Sequence, residues 1–221
     1  MCFGPVASFA ASAVLGSTGT LVVKNVREKK EIFFATFPIL FAAQQFSEGL
    51  LWLLLRQGKS GVLLHAVTFI FLLFAYSLWP VLCPVSVYAI EYHPERKRIL
   101  RFLTLLGAAT SLYLLFFIVT QPVDAEVVNR CLHYETYVRA APWFTVVYVL
   151  VTLLPYFISS HKSILIFGIP NLIFCAITYI FYRNHFISVW CFFAAILSLT
   201  LYVFLRKLHH QPLLSGGRRG S

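Results

Sequence analysis

Charge is what this sequence has least of. Only 12% of its 221 residues are Asp, Glu, Lys or Arg, against 59% hydrophobic, and the mean hydropathy is +0.80. An ordinary water-facing domain carries about 25% charged residues, so that class is excluded. Aspartate occurs once, as Asp124, which excludes the aspartate pair of an intramembrane aspartyl protease. The five cysteines (Cys2, Cys83, Cys131, Cys175 and Cys191) form no CxxC and no zinc-ribbon spacing. HExxH, a Walker loop, GxGxxG and GxSxG are missing, as is HxxxH within any apolar run. The common enzyme chemistries therefore have no textual support, and the arginine periodicity of a voltage sensor is absent too.

What the chain has in abundance is long apolar runs. About 20 apolar residues make one helical crossing of a hydrocarbon layer about 30 Å thick. Seven such runs are present: Phe3 to Val23, Ile32 to Leu55, Val62 to Ile90, Ile99 to Thr120, Ala141 to Ser159, Ile164 to Tyr182 and Ile187 to Leu205. None alternates with period two, so the expected fold is all-α: a polytopic bundle of seven transmembrane helices over residues 1–208. The Gly-, Ser- and Arg-rich residues 209–221 are expected to form a disordered cytoplasmic tail.

The first run carries its charges after the apolar stretch and reads as a retained anchor rather than a cleaved signal. Its Ser8, Ser12 and Gly16 form a small-residue face for close helix packing. Pro80 and Pro84 in "SLWPVLCP" predict a kink in the third run. The connection "QPVDAEVVNRCLHYETYVRAAP" is long enough to fold over the bundle mouth as a lid, and equally a loosely ordered loop.

The net charge of +10 sits in short clusters between apolar runs and not along one polar face, so nucleic acid is not an expected partner. Thirteen of the 18 Lys and Arg fall on one side of the expected bundle, in loops such as "KNVREKK" and "ERKR". The positive-inside rule puts that side in the cytoplasm, with the N-terminus outside and the C-terminus inside. The expected location is a bacterial inner (plasma) membrane, with lipids as partners and an oligomer left open.

One run carries an anomaly. "FAAQQFSEGLLWLLL" places two amides and a carboxylate among residues suited to hydrocarbon. At 100° per residue, Phe41, Gln44, Gln45, Glu48 and Trp52 share one stripe, which predicts a polar face turned into the bundle. Glu48 lies seven residues before Leu55, about 10 Å along the axis, in the outer half of the membrane. The short "RQGKSG" loop makes runs two and three an antiparallel hairpin, which puts His65 level with Trp52. In the last run Ser188, Cys191, Ala195 and Ser198 align on one face. Cys2, Cys131, His133 and His185 fall at the same end.

These residues define an expected outer-leaflet pocket centred on Glu48. Glu48 and His65 are its candidate proton-transfer groups. Gln44, Gln45, Trp52, Ser188 and His185 are candidate ligand-binding residues. Cys2, Cys191 and His133 are candidate ligands for a transition metal such as zinc or copper. Two other accounts stand beside this one. Cys2 and Cys131 form a disulfide on an oxidising outer side, which excludes a metal site shared by those thiols. Alternatively, Glu48 is a neutral acid that only bonds two helices together.

The polar stretches also carry a resemblance. "MCFGPVASFA" resembles the Met-Cys-Phe-Ser start, followed by Ala-Ser-Phe, of an uncharacterised bacterial family of multi-pass membrane proteins, with Gly4 in place of the Ser. "QQFSEGLLW", "LWPVLCP" followed by "EYHPERKR", and "SVWCFFAAILS" are similar to further stretches of that family. The resemblance implies a bacterial membrane protein and brings no activity. The resulting expectation is a membrane protein that binds a small ligand or ion, as an enzyme or sensor. A proton- or cation-coupled transporter or channel, and a structural or assembly subunit, are the alternatives.

Overall fold

The computed structural model describes residues 3–136 and 142–210. It is mostly helical. Helix α1 (Pro5–Lys24) leads through a 3-10 turn at Lys29–Glu31 to a short α2 (Ile32–Ala35) and the long α3 (Phe37–Arg56). The third run is α4 (Val62–Leu72), a π-helical segment (Leu73–Leu78) and α5 (Trp79–Ile90). Helix α6 (Pro94–Thr120) is followed by strands β1 (Val123–Val128) and β2 (Cys131–Thr136). Helices α7 (Pro142–Ile158), α8 (Leu165–Phe181), α9 (Phe186–Leu197) and α10 (Thr200–His210) complete the chain.

Six of the seven expected runs are long and apolar enough to cross a membrane, and the fifth is a shorter apolar helix, Trp143–Ile158. Three runs are interrupted for local reasons. Pro38 has no N–H to give to Phe34, so the second run restarts at α3 with the proline in its first turn. Ser198 turns its hydroxyl onto the carbonyl of Ala195 (2.6 Å), which ends α9 before α10 begins. In the third run Pro80 cannot donate to the carbonyl four residues back, and the helix widens into the π segment immediately before it. Neighbours cap carbonyls of that segment. The Tyr148 hydroxyl donates to Ala75 O, and that of Ser111 to Ser77 O at 2.7 Å. Helix α10 runs through His210, two residues into the expected tail; the rest of that tail lies outside the described residues.

Small residues set the tight helix pairs. Gly19 of α1 faces Ile39 of α3 so closely that a Cβ would lie 2.7 Å from Ile39 Cγ1. Ser8 is fully buried, and Ser12 donates to Ala42 O at 2.8 Å, so the expected small-residue face is the α1–α3 seam. At Gly107 of α6 a Cβ would fall 2.0 Å from Pro80 O. That carbonyl has lost its usual helical donor because Pro84 lacks an N–H, and the glycine lets another backbone close over it.

Helix α6 is apolar on its outer face too. It buries Leu100, Leu103, Gly107, Thr110, Ser111, Leu114 and Ile118 while Phe102, Leu105, Leu112 and Phe116 are exposed. Large apolar residues facing outward are not the pattern of a water-soluble helix and suit a lipid surrounding, with small and polar residues at the middle of the helix contact.

The connection after α6 is an ordered antiparallel hairpin, a difference from the all-helical expectation. Asn129 and Arg130, both at positive φ (52° and 63°), make its two-residue turn, with Val128 opposite Cys131. Val123, Ala125, Leu132 and Tyr134 form its buried face, and Tyr134 stacks on Phe71 of α4 at 4.6 Å between ring centroids.

Candidate functional site

The stripe on α3 is turned inward: Phe41, Gln44, Gln45, Glu48 and Trp52 are all buried. So is the α9 face of Ser188, Cys191, Ala195 and Ser198. The two faces meet where the Ser188 hydroxyl donates to Glu48 Oε1. The other carboxyl oxygen, Oε2, has no donor in good hydrogen-bond geometry among the described residues, although the Gln45 amide interacts with this carboxyl group. Gln44 Oε1 accepts from the Trp79 indole N–H at 2.8 Å, and the Gln44 side chain also interacts with the Cys191 thiol. Buried polar atoms are nearly always satisfied in folded proteins, so this concentration of incompletely bonded groups on two turns of one helix sets the cluster apart. No lysine or arginine pairs with Glu48 among the described residues.

The large cavity lies beside this cluster and is not centred on it. It measures about 530 Å³ and lies between the hairpin, α7 and the α8–α9 turn. Its inner wall is Tyr76, Tyr134, Tyr148, Trp190 and Cys191; His133, Arg183, Asn184 and His185 also line it. The phenol of Tyr134 joins the two regions. It is buried and unpartnered, and its pKa stands well above the ordinary tyrosine range, first because of burial and next because Glu48 is close by. A second void of about 30 Å³ shares Tyr148, Trp190 and Cys191 with the first and continues inward among Phe41, Cys83, Tyr156 and Asn171.

Of the residues singled out in the sequence, His133, His185 and Cys191 line the large cavity, whereas Glu48, Gln44, Gln45, Ser188, Trp52 and His65 do not. His65 corrects the expectation most clearly. Its ring is surface-facing, and Nδ1 meets Val123 O at 3.0 Å and Asp124 Oδ1 at 3.1 Å, so it fastens the hairpin. The short loop fixes the level of His65 but not its azimuth, and Leu64, Val67, Thr68 and Phe71 are the buried face of α4. Trp52 is buried under the Arg56 guanidinium, 5.8 Å from the ring centroid.

His133 and His185 tie the hairpin to the α8–α9 turn reciprocally: His133 Nδ1 bonds Asn184 O at 2.8 Å and His185 Nδ1 bonds Leu132 O at 3.1 Å. A carbonyl only accepts, so each Nδ1 carries its proton. For the expected metal, no group of three or more His, Cys, Asp or Glu among the described residues is arranged to hold an ion. Cys131 is disulfide-bonded, Cys191 is a free thiol, and Cys2 lies outside the described residues.

Tyr76, Tyr134, Tyr148, Trp190 and Arg183 are among the lining residues that sequence reasoning missed. Tyr134 had a legible signal, the alternation of "CLHYET"; Tyr148 and Trp190 read as ordinary apolar helix residues.

Searches of curated proteins and of solved structures gave no match. A family profile covers residues 1–213, from before α1 to beyond α10, and thus takes in both the Glu48 cluster and the cavity. The chain belongs to that family, a family of unknown function designated DUF6629.

Proposed function

We propose that this protein is an integral membrane protein of the bacterial inner membrane that binds a small molecule in the hairpin-covered cavity, with Glu48 and its amides forming the polar backing of the inner wall. The observation that carries the reading is the conjunction of a cavity of about 530 Å³ with an unpartnered buried hydroxyl at Tyr134 on its wall and incompletely bonded polar groups at Glu48, Gln44 and Gln45 behind it. That volume is within the range of ligand sites, about 300 to 1,000 Å³. Walls rich in aromatic side chains with convergent polar groups are the usual make-up of such sites.

Seven crossings are part of this reading, with α7 as the shortest. The hairpin end faces outward: basic loops crowd the opposite end, and the disulfide at Cys131 suits an oxidising exterior. The transport alternative asks for a polar track to the cytoplasmic end. The inward void is small and walled by Phe37, Phe41, Phe167 and Ala194, which favours binding over transport.

The test is native mass spectrometry of protein released from its own membrane. Wild type is expected to carry a bound small molecule that Ile187→Trp, which fills the cavity, releases while keeping the wild-type melting temperature within a few degrees. Absence of any bound mass in wild type, or its persistence in the filled variant, overturns the proposal.

A further inference from the structure

Resting on that reading, we infer the chemical class of the ligand: an anionic amphiphile, with a carboxylate at the cavity mouth on Arg183 and an apolar body laid against Tyr148, Trp190 and Phe186. Three observations carry this. First, Arg183 is the lone permanently charged residue of the described lining, and no Asp or Glu lines the cavity with it. An anion therefore meets attraction without a competing carboxylate.

Second, the imidazole Nδ1 donors of the lining are already assigned. The Nδ1–H groups of His133 and His185 are spent on Asn184 O and Leu132 O. Arg183 has no carboxylate partner among the described residues, and its guanidinium lies over the Tyr179 ring, 5.5 Å from the centroid. Stacking of this kind holds the fork while leaving in-plane N–H groups available, the geometry that recognises a carboxylate in two parallel bonds.

Third, much of the lining is apolar. Phe144, Phe186, Ile187, Trp190 and Tyr148 contribute to it, and Tyr134 Oη is a buried lining hydroxyl with no partner among the described residues. A ligand with one charged end, a flat or branched apolar body and a hydrogen-bond acceptor at its far end uses each of these features.

The test compares three probes of one shape and different head charge: 4-phenylbutyrate, 4-phenylbutanamide and 4-phenylbutylamine. Each is titrated by saturation-transfer NMR against the full chain in nanodiscs of zwitterionic lipid. The carboxylate is expected to bind about tenfold more tightly than the amide, the difference of a charge-assisted pair, and the amine more weakly than either. Arg183→Gln is expected to erase the carboxylate's advantage and leave the amide unchanged.

A second arm repeats the titration in nanodiscs containing phosphatidylglycerol. Competition there assigns the anionic head to a membrane lipid; its absence assigns it to a free organic acid. Equal or tighter binding of the amide or amine overturns the inference while leaving the cavity reading intact. A carboxylate advantage that survives unchanged in Arg183→Gln does the same. Failure of all three probes against wild type also overturns it, and the bound mass retained or lost in Ile187→Trp then decides the cavity reading separately.

Discussion

Two buried carboxylates stand at opposite ends of the bundle and are treated in opposite ways. Glu91, 2% exposed at the end of α5, accepts from the backbone N–H of Tyr92 (2.9 Å), His93 (3.0 Å) and Ser160 (2.7 Å) and from the Ser160 hydroxyl (2.6 Å). Burial alone would raise its pKa, but those bonds outweigh it and hold the carboxyl below the usual range. Glu48, 1% exposed, accepts one hydroxyl on one oxygen and has no well-formed bond on the other, with only the Gln45 amide interacting nearby. The first is a staple across two connections and is consumed by that task. The second retains bonding capacity, which under the proposed function is available to a ligand.

The comparison can be broken by substitution. The largest effect is expected from Glu91→Ala, which strands the donors now held by the carboxylate and should cost about 3 kcal/mol. It would be read as a lowered melting temperature in detergent. Glu48→Leu should change the same measurement by less than about 1 kcal/mol, since it removes a group whose bonding is incomplete. Equal losses would erase the distinction.

Acid sharpens it next. A carboxyl whose pKa is depressed by folding contributes stability that is fully present above its unfolded value, about 4.3, and is lost as pH falls through the lower folded value. Melting temperature should therefore decline on acidification below about pH 4.3. Glu91→Gln should flatten that limb, and Glu48→Gln should leave it in place.

Smaller effects are expected around the cavity. Tyr134→Phe deletes an unpartnered buried hydroxyl without opening space and should raise stability by up to about 1 kcal/mol, while weakening retention of the bound molecule in native mass spectrometry. Ser188→Ala should cost only about 0.6 kcal/mol, the usual worth of a single interhelical bond in a membrane protein. In a Glu48→Leu background that cost should vanish, as a double-mutant cycle on melting would show.

The helices and their inward faces were legible because both follow from period. A 3.6-residue repeat put Gln44, Gln45 and Glu48 on one stripe, and the stripe is buried. Rotation about a helix axis was not legible where no such stripe existed, which is why His65 was placed at the right height and on the wrong side. The hairpin was missed although "VDAEVV" and "CLHYET" alternate, because its turn is Asn-Arg and lacks the Asn-Gly that usually announces two residues at positive φ. The aromatic walls of the cavity were missed for a different reason. Its walls come from α7, β2 and the α8–α9 turn, and no local pattern records that Tyr148, Tyr134 and Trp190 face a common space.

The apolar outer rows of α6 have a practical corollary. With Phe102, Leu105, Leu112 and Phe116 outward, water leaves this face unsolvated, and any shift of the helix to cover it would strain the bond from the Ser111 hydroxyl to the carbonyl of Ser77, next to Tyr76 of the cavity wall. The choice of surfactant is thus a structural variable. A detergent that wets the outer rows poorly would disturb the cavity through α6 before any helix unwound.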